Sequence, residues 1–183
     1  MQKEFRQHME TNIFQIEGEG ITMANINQLK KEEEFKEAVV EWFRKNKGKE
    51  FNRNVVIKIE DKGKEHQFDF VSTDNTIAID CKYLIWTKTG KFAGKKCERI
   101  NNSVFALCDL PEQYEKYVVL PHDCSSLTGQ AAAEYYSESH WNMLGNVKIA
   151  DYNQENGEFH IYEQEIDEWK IGYTPEQYVR KFL

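Results

Sequence analysis

One stretch decides the fold of this chain: FDFVSTDNTIAIDCK, residues 68–82. Its two halves alternate apolar and polar residues, and the four residues STDN between them are typical of a tight turn. The alternation predicts antiparallel strands over 66–71 and 76–84. A further strand, predicted over 52–60, precedes them after a turn at DKGK. The sequence therefore predicts a three-stranded meander at the centre of the fold.

Pairing of these strands would bring two carboxylates together. Because side chains alternate along a strand, Phe68 and Phe70 should share one face and Asp69 should take the other, while Asp80 and Lys82 share a face of the next strand. The Cβ atoms of Asp69 and Asp80 would then be about 5–8 Å apart. Two carboxylates so close on a buried face repel each other, and a divalent cation with oxygen ligands, such as Mg²⁺, relieves the repulsion. The alternative is a surface hairpin in which Lys82 pairs with Asp80.

The segments around the meander predict an α/β (α+β mixed) fold with a central mixed sheet flanked by helices. Before it, an apolar stripe at helical spacing predicts a helix over 28–46 that ends at Gly48. After it, we expect the following elements: helix 97–107, an internal strand 117–120, helix 130–141, a hairpin of strands 147–152 and 158–162, and helix 174–183. We divide the chain into an N-terminal segment, 1–27, a core, 28–122, and an acidic C-terminal extension, 123–183, packed on the core.

This order of elements, with an aspartate on the second strand and Asp-x-Lys on the third, resembles the PD-(D/E)XK nuclease superfamily over roughly residues 28–120. Its small Holliday-junction-resolvase-like branch is similar in having a helical glutamate, a glycine at the helix end and Arg-Asn at the first strand. Glu37, Gly48 and Arg53-Asn54 have comparable spacing here. The resemblance implies a restriction-endonuclease-like αβββαβ core.

The sequence departs from the family pattern in two places and leaves one position open. Lys64-Glu65 stands where the family usually has Gly-Glu, and Phe68 stands where it often has proline. Several glutamates precede the first strand, so the helical glutamate could be Glu37, which we favour, or Glu34.

The resemblance implies a role for each matching residue. Asp69 and Asp80 would bind Mg²⁺, with Mn²⁺ expected to substitute, and the backbone carbonyl of Cys81 would assist them. Lys82 would activate a water molecule for attack on phosphate, and Glu37 would bind the metal or support its ligands.

The charge distribution bears on the partner. The chain has 24 basic and 31 acidic residues, a net charge of −7, which by itself argues against nucleic acid. Residues 121–183 hold 4 basic and 11 acidic groups, the whole of that −7, whereas residues 44–99 hold 14 basic and 8 acidic groups, a net of +6. A basic, glycine-bearing loop lies in this second range. We expect six side chains to contact nucleic acid: Lys88, Lys91, Lys95, Lys96, Arg99 and Asn102. The alternative is that they form a solvated surface with no partner.

Other site types have little support in the sequence. The four cysteines show no two-residue spacing, so neither a usual zinc site nor a disulfide framework is expected. His122 and Cys124 are close in sequence, but no further ligands can be named beside them. No run of about 18 apolar residues is present, and the polar N-terminus has no signal-peptide core, so we expect no membrane partner and a cytoplasmic location.

The function expected from these features is a Mg²⁺-dependent endonuclease that cleaves double-stranded or branched DNA. Cutting both strands would suit a two-fold homodimer. The alternative is a catalytically inactive module of the same fold that binds nucleic acid or a protein partner, with the acidic extension covering its groove.

Overall fold

The computed structural model describes residues 23–59, 63–92 and 94–163. The predicted helix 174–183 and most of the segment 1–27 lie outside these ranges. The described helices and strands follow the order α1 (Met23–Lys47), β1 (Phe51–Ile59), β2 (Lys64–Ser72), β3 (Ile77–Cys81), α2 (Gly94–Cys108), β4 (Glu115–Pro121), α3 (Ala132–His140), β5 (Val147–Tyr152) and β6 (Phe159–Tyr162). The predicted mixed α/β class is confirmed.

The strands form one six-stranded mixed sheet in the order β1-β2-β3-β4-β5-β6. The first three strands pair antiparallel, as the predicted meander requires. Strand β4 lies between β3 and β5, parallel to both, and β6 returns antiparallel beside β5. The sheet therefore continues across residue 122, and the described part of the acidic extension adds two strands to the sheet of the core.

Helix α1 covers one face of the sheet. Its apolar stripe, Phe35, Val39, Val40 and Phe43, is fully buried, and each such side chain contributes about 1.5–3 kcal/mol by leaving water. The sheet residues in the same cluster are Phe51, Phe70, Ile77, Ile79, Cys81, Tyr117 and Val119. The helix ends where the sequence predicts, because Gly48 adopts a φ of +64° and its amide donates to the carbonyl of Arg44 at 3.0 Å.

Helices α2 and α3 cover the other face. Their buried residues, which include Ile100, Val104, Leu107 and Tyr136, pack with Phe68, Ala78, Val118, Leu120 and Ile149 of the sheet. The molecule is therefore a three-layer arrangement of helix, sheet and helices. No helix in the described ranges has both the length and the apolar composition needed to cross a membrane.

One expectation about the decisive stretch is wrong. Phe68 and Phe70 do not share a face: Phe68 packs with the α2–α3 layer and Phe70 with α1. On the neighbouring strand, Arg53 pairs with Phe70 and Val55 with Phe68, and Asn54 between them has a φ of +50°. A left-handed residue inside a strand interrupts the alternation of side chains, so both paired strands change face at this point.

Strand β3 keeps its alternation but is shorter than expected. Ile77, Ile79 and Cys81 all join the α1 cluster, whereas Ala78 lies in the other layer. The strand ends at Cys81 rather than residue 84. Beyond it the amide of Leu84 donates to the carbonyl of Lys82 at 2.8 Å, which folds the chain into a tight turn.

Candidate functional site

The structure brings Asp69 and Asp80 together. Phe70 pairs with Ile79 and Val71 with Ala78 in the β2–β3 ladder, so the same register places Asp69 opposite Asp80. Both are largely buried, with 13% of the Asp69 side chain and 7% of Asp80 exposed. When one of the two carboxyl groups is protonated, it can donate a hydrogen bond to the other.

Each carboxylate of the pair also has a lysine. The Lys82 ammonium lies 2.8 Å from Oδ1 of Asp80, and the Lys36 ammonium lies 2.9 Å from Oδ1 of Asp69. The other oxygen of Asp69 accepts a hydrogen bond from the Cys81 amide at 2.7 Å. This bond ties the Asp69 carboxylate to the end of β3, where Asp80 and Lys82 lie.

The environment separates the proton affinities of the two aspartates. Burial, together with the neighbouring Asp69, raises the pKa of Asp80 from its ordinary 3.8 to about 6, although Lys82 opposes the change. Burial acts in the same direction on Asp69, but the hydrogen bond with Asp80 and the Lys36 charge outweigh it and lower the pKa of Asp69. Asp80 is therefore the member of the pair that holds the proton in acid solution.

Sequence reasoning did not identify Lys36. Although burial lowers its pKa, the Asp69, Glu32 and Glu33 carboxylates together raise it above its ordinary value, so Lys36 is charged at neutral pH. A signal for it was present, because Lys36 lies one helical turn before the buried residues Val39 and Val40 and so falls on the apolar stripe of α1. A lysine on a buried stripe indicates a buried anion nearby.

Glu37 forms an ion pair that does not include Asp69 or Asp80. Its carboxylate pairs with Arg53 of β1, which also contacts Glu33 at 2.7 Å and lies 5.4 Å from the centre of the Phe70 ring. Glu34, the alternative glutamate, is exposed on α1. The helical residue in contact with Asp69 is thus Lys36, and the guanidinium of Arg53 holds Glu37.

Of the six predicted nucleic-acid contacts, five are exposed and one is engaged within the fold. Lys95, Arg99 and Asn102 are exposed on α2 at spacings of four and three residues, so they share one face of the helix. Lys88 and Lys91 are exposed in the loop before it. Lys96 is engaged within the fold instead: it donates to the carbonyl of Ile85, and its ammonium lies 5.6 Å from the centre of the Phe92 ring.

An aromatic cluster that the sequence did not reveal lies beside this basic loop. The Trp86 ring contacts Phe92 and Tyr135 edge-to-face, with centroids 5.4 and 5.3 Å away. Within the described part of the chain, the Trp86 indole nitrogen is buried and has no hydrogen-bond partner. The three rings line a groove with Lys91 and Leu127, and Leu127 is 75% exposed.

The residues present fit a magnesium ion. Mg²⁺ commonly uses one or two protein carboxylates and keeps several waters, and the Asp69–Asp80 pair offers two carboxylates at the end of a strand. Comparison of the chain with protein-family models, with curated proteins and with solved structures gave no match. The nuclease resemblance therefore depends on the residues of this chain alone.

Proposed function

We propose that the protein is a metal-dependent phosphodiesterase that cleaves DNA at the Asp69–Asp80 pair. The observation that carries the proposal is the apposition of these two buried carboxylates with Lys82, whose ammonium is 2.8 Å from Asp80. Without metal, Lys36 and Lys82 offset the repulsion between the two carboxylates. A divalent ion would take over this role from Lys36 and leave Lys82 beside Asp80.

The chain's own groups supply the other requirements of hydrolysis. Asp69 and Asp80 would hold Mg²⁺ or Mn²⁺, an ion that stabilises negative charge on phosphate oxygens and lowers the pKa of bound water. Asp80 must lose its proton to bind the ion, and its pKa of about 6 makes that loss easy at neutral pH. Lys82, at the end of the same strand, would orient the attacking water, and Cys81 holds Asp69 through its amide at 2.7 Å.

The basic surface of α2 and its preceding loop would bind the phosphate backbone. Lys88, Lys91, Lys95 and Arg99 are all exposed, and such contacts give affinity that falls steeply with salt. The half-buried Trp86 and Tyr135 rings beside the loop offer apolar surface to an unpaired base. We propose double-stranded or branched DNA as substrate, a homodimer for cutting both strands and a cytoplasmic location.

A second candidate is a catalytically inactive module of the same architecture that binds nucleic acid or a protein. Its support is the ion-pair arrangement: Lys36 already neutralises Asp69 at 2.9 Å, and Arg53 holds Glu37. In such a module Lys36 would replace the metal as the partner of the carboxylates.

The test is cleavage of supercoiled plasmid, a four-way DNA junction and single-stranded DNA by the full chain with MgCl₂ or MnCl₂. Asp80→Asn and Lys82→Ala should each lower the rate by at least about 100-fold, whereas Lys58→Ala, a change at an exposed lysine of β1, should leave it unchanged. Undiminished cleavage in both site variants would refute the proposal. DNA binding without cleavage, and with no MgCl₂-dependent rise in melting temperature, would favour the inactive module.

A further inference from the structure

A second cluster of metal-ligating side chains lies towards the β6 edge of the sheet. Asp151 is in β5 and fully buried. His160 is its direct partner on β6, and His122 immediately follows β4, where its amide donates to the carbonyl of Tyr152 at 3.0 Å. Strands β5 and β6 and the residue that follows β4 therefore supply one side chain each.

The three side chains converge through defined atoms. Nδ1 of His122 is 2.9 Å from Oδ2 of Asp151, and Nδ1 of His160 is 3.2 Å from Oδ1. One ligand atom from each residue lies within 4.8 Å of the others. Ligand atoms bound to one zinc ion at 2.0–2.2 Å in a tetrahedron are about 3.3 Å apart, so the cluster is close to the required spacing.

We propose that His122, Asp151 and His160 form a Zn²⁺-binding site. Two imidazoles and one carboxylate are ligands that zinc accepts and that magnesium does not prefer. The side chains of His122 and His160 are 30% and 47% exposed, so an ion can enter and water can complete its coordination.

The surroundings hold the ligands as a metal site requires. The Tyr162 hydroxyl donates to Oδ2 of Asp151 at 2.7 Å and so orients the carboxylate. On the far side of the His122 ring, Nε2 lies 3.7 Å from the Cys124 sulfur. With a metal on Nδ1, the Nε2–H group would donate to this sulfur, and metal-bound histidines usually donate their second ring N–H in this way.

A bound ion also accounts for the burial of Asp151. Its carboxylate oxygens meet two imidazoles and a phenol, none of which carries a permanent positive charge. A fully buried carboxylate is costly unless its charge is compensated. A divalent ion held by the three side chains supplies that compensation.

This site is independent of the proposed nuclease site. Asp80 pairs with Val118 and Val118 with Ile149, so Asp151 lies two strands from Asp80 and two residues further along. From strand spacing and rise, the two aspartate Cα atoms are about 12 Å apart, too far to share one ion. The inference therefore does not depend on the proposed function.

The test is a titration of the metal-free full chain with ZnCl₂ in competition with a chromogenic chelator. The wild-type protein should bind one equivalent, and His122→Ala and His160→Ala should each weaken binding by at least about 10-fold. A matched control should bind zinc normally: His140→Ala, which alters a histidine stacked on Tyr136. CoCl₂ should give visible absorption bands in the wild type that both ligand variants lose.

Failure of the wild type to bind ZnCl₂ below about 10 μM, or unchanged affinity in both His122→Ala and His160→Ala, would overturn the inference. His160 is nearly half exposed, so its substitution tests the site without disturbing the core. DNA cleavage that persists in His160→Ala while zinc binding is lost would separate this site from the proposed nuclease site.

Discussion

Substitution of Asp80 by asparagine should stabilise the protein at pH 8 when no metal is present. Asp80 is 7% exposed and lies opposite Asp69, so its ionised form suffers both burial and repulsion by a second carboxylate. Asparagine keeps the size and removes the charge. The variant should therefore gain stability while losing any metal-dependent activity, as is common where a site is built for function.

The size of the effect follows from the pKa. The folded protein raises the pKa of Asp80 from 3.8 to about 6, so the folded state binds this proton more tightly than the unfolded state. The stabilisation from this group is present below pH 3.8 and is lost as the pH rises through 6. At about 1.4 kcal/mol for each pKa unit, the loss at pH 8 is about 3 kcal/mol. Lys82 loses its partner in the variant, so the gain should fall short of that figure.

Thermal unfolding at pH 8 and pH 4, with and without MgCl₂, measures the effect. For a domain of this size 1 kcal/mol shifts the melting temperature by about 2–4 °C, so Asp80→Asn should melt several degrees higher at pH 8 without metal. The difference should shrink at pH 4, where the wild-type Asp80 is protonated. MgCl₂ should raise the melting temperature of the wild type and leave that of the variant unchanged.

Asp74→Asn is the matched control with the opposite sign. Asp74 is in the β2–β3 turn, and hydrogen bonds from Lys49, Ser72 and Thr76 lower its pKa. Its charge is stabilising, so its removal should lower the melting temperature at pH 8. The reasoning is refuted if Asp80→Asn melts below the wild type at pH 8 without metal, or if its gain is equally large at pH 4.

Three further outcomes are expected. Lys36→Ala removes the cation 2.9 Å from Asp69, so the melting temperature without metal should fall at pH 8 and the rise with MgCl₂ should exceed that of the wild type. In Gly90→Ala the new Cβ would lie 2.6 Å from the Leu127 side chain, and alanine would have to adopt a φ of +65°. Urea unfolding should show a free energy of unfolding lower by about 1–3 kcal/mol, and adding Leu127→Ala should recover only the part due to the steric clash. Arg99→Gln should weaken DNA binding at low salt and reduce the slope of log affinity against log salt by about 1, measured by fluorescence anisotropy; an unchanged slope would contradict a phosphate contact.

Much of the fold was predictable because its signals are local. The alternation in β3 and the apolar stripe of α1 each arise from neighbouring residues, and both are buried as their periodicity requires. The face change at Phe68 was not predictable, because its cause is on another strand: the left-handed Asn54 beside it. A prediction from the alternation of apolar and polar residues in β2 alone assumes regular pairing with the neighbouring strand, so it misses this change of face.

The same distinction applies to the candidate site. Asp69, Asp80 and Lys82 could be grouped because a short turn joins their strands, and a hairpin register follows from the turn. The residue of α1 that contacts Asp69 could not be identified from the sequence. Several polar residues of α1 are candidates, and only the packing of the helix on the sheet decides which one meets Asp69. That residue is Lys36, while Glu37 pairs with Arg53.

The amino-acid sequence by itself determined the mixed α/β class, the meander and the pair of aspartates with its lysine, because these depend on side-chain periodicity and on short connections. Tertiary structure alone decided the partner of Asp69 and the meeting of His122 with Asp151 and His160. His122 is 29 residues from Asp151 along the chain, and parallel pairing of β4 with β5 brings them into contact. Contacts of this kind depend on the order of strands in the sheet, which periodicity does not encode.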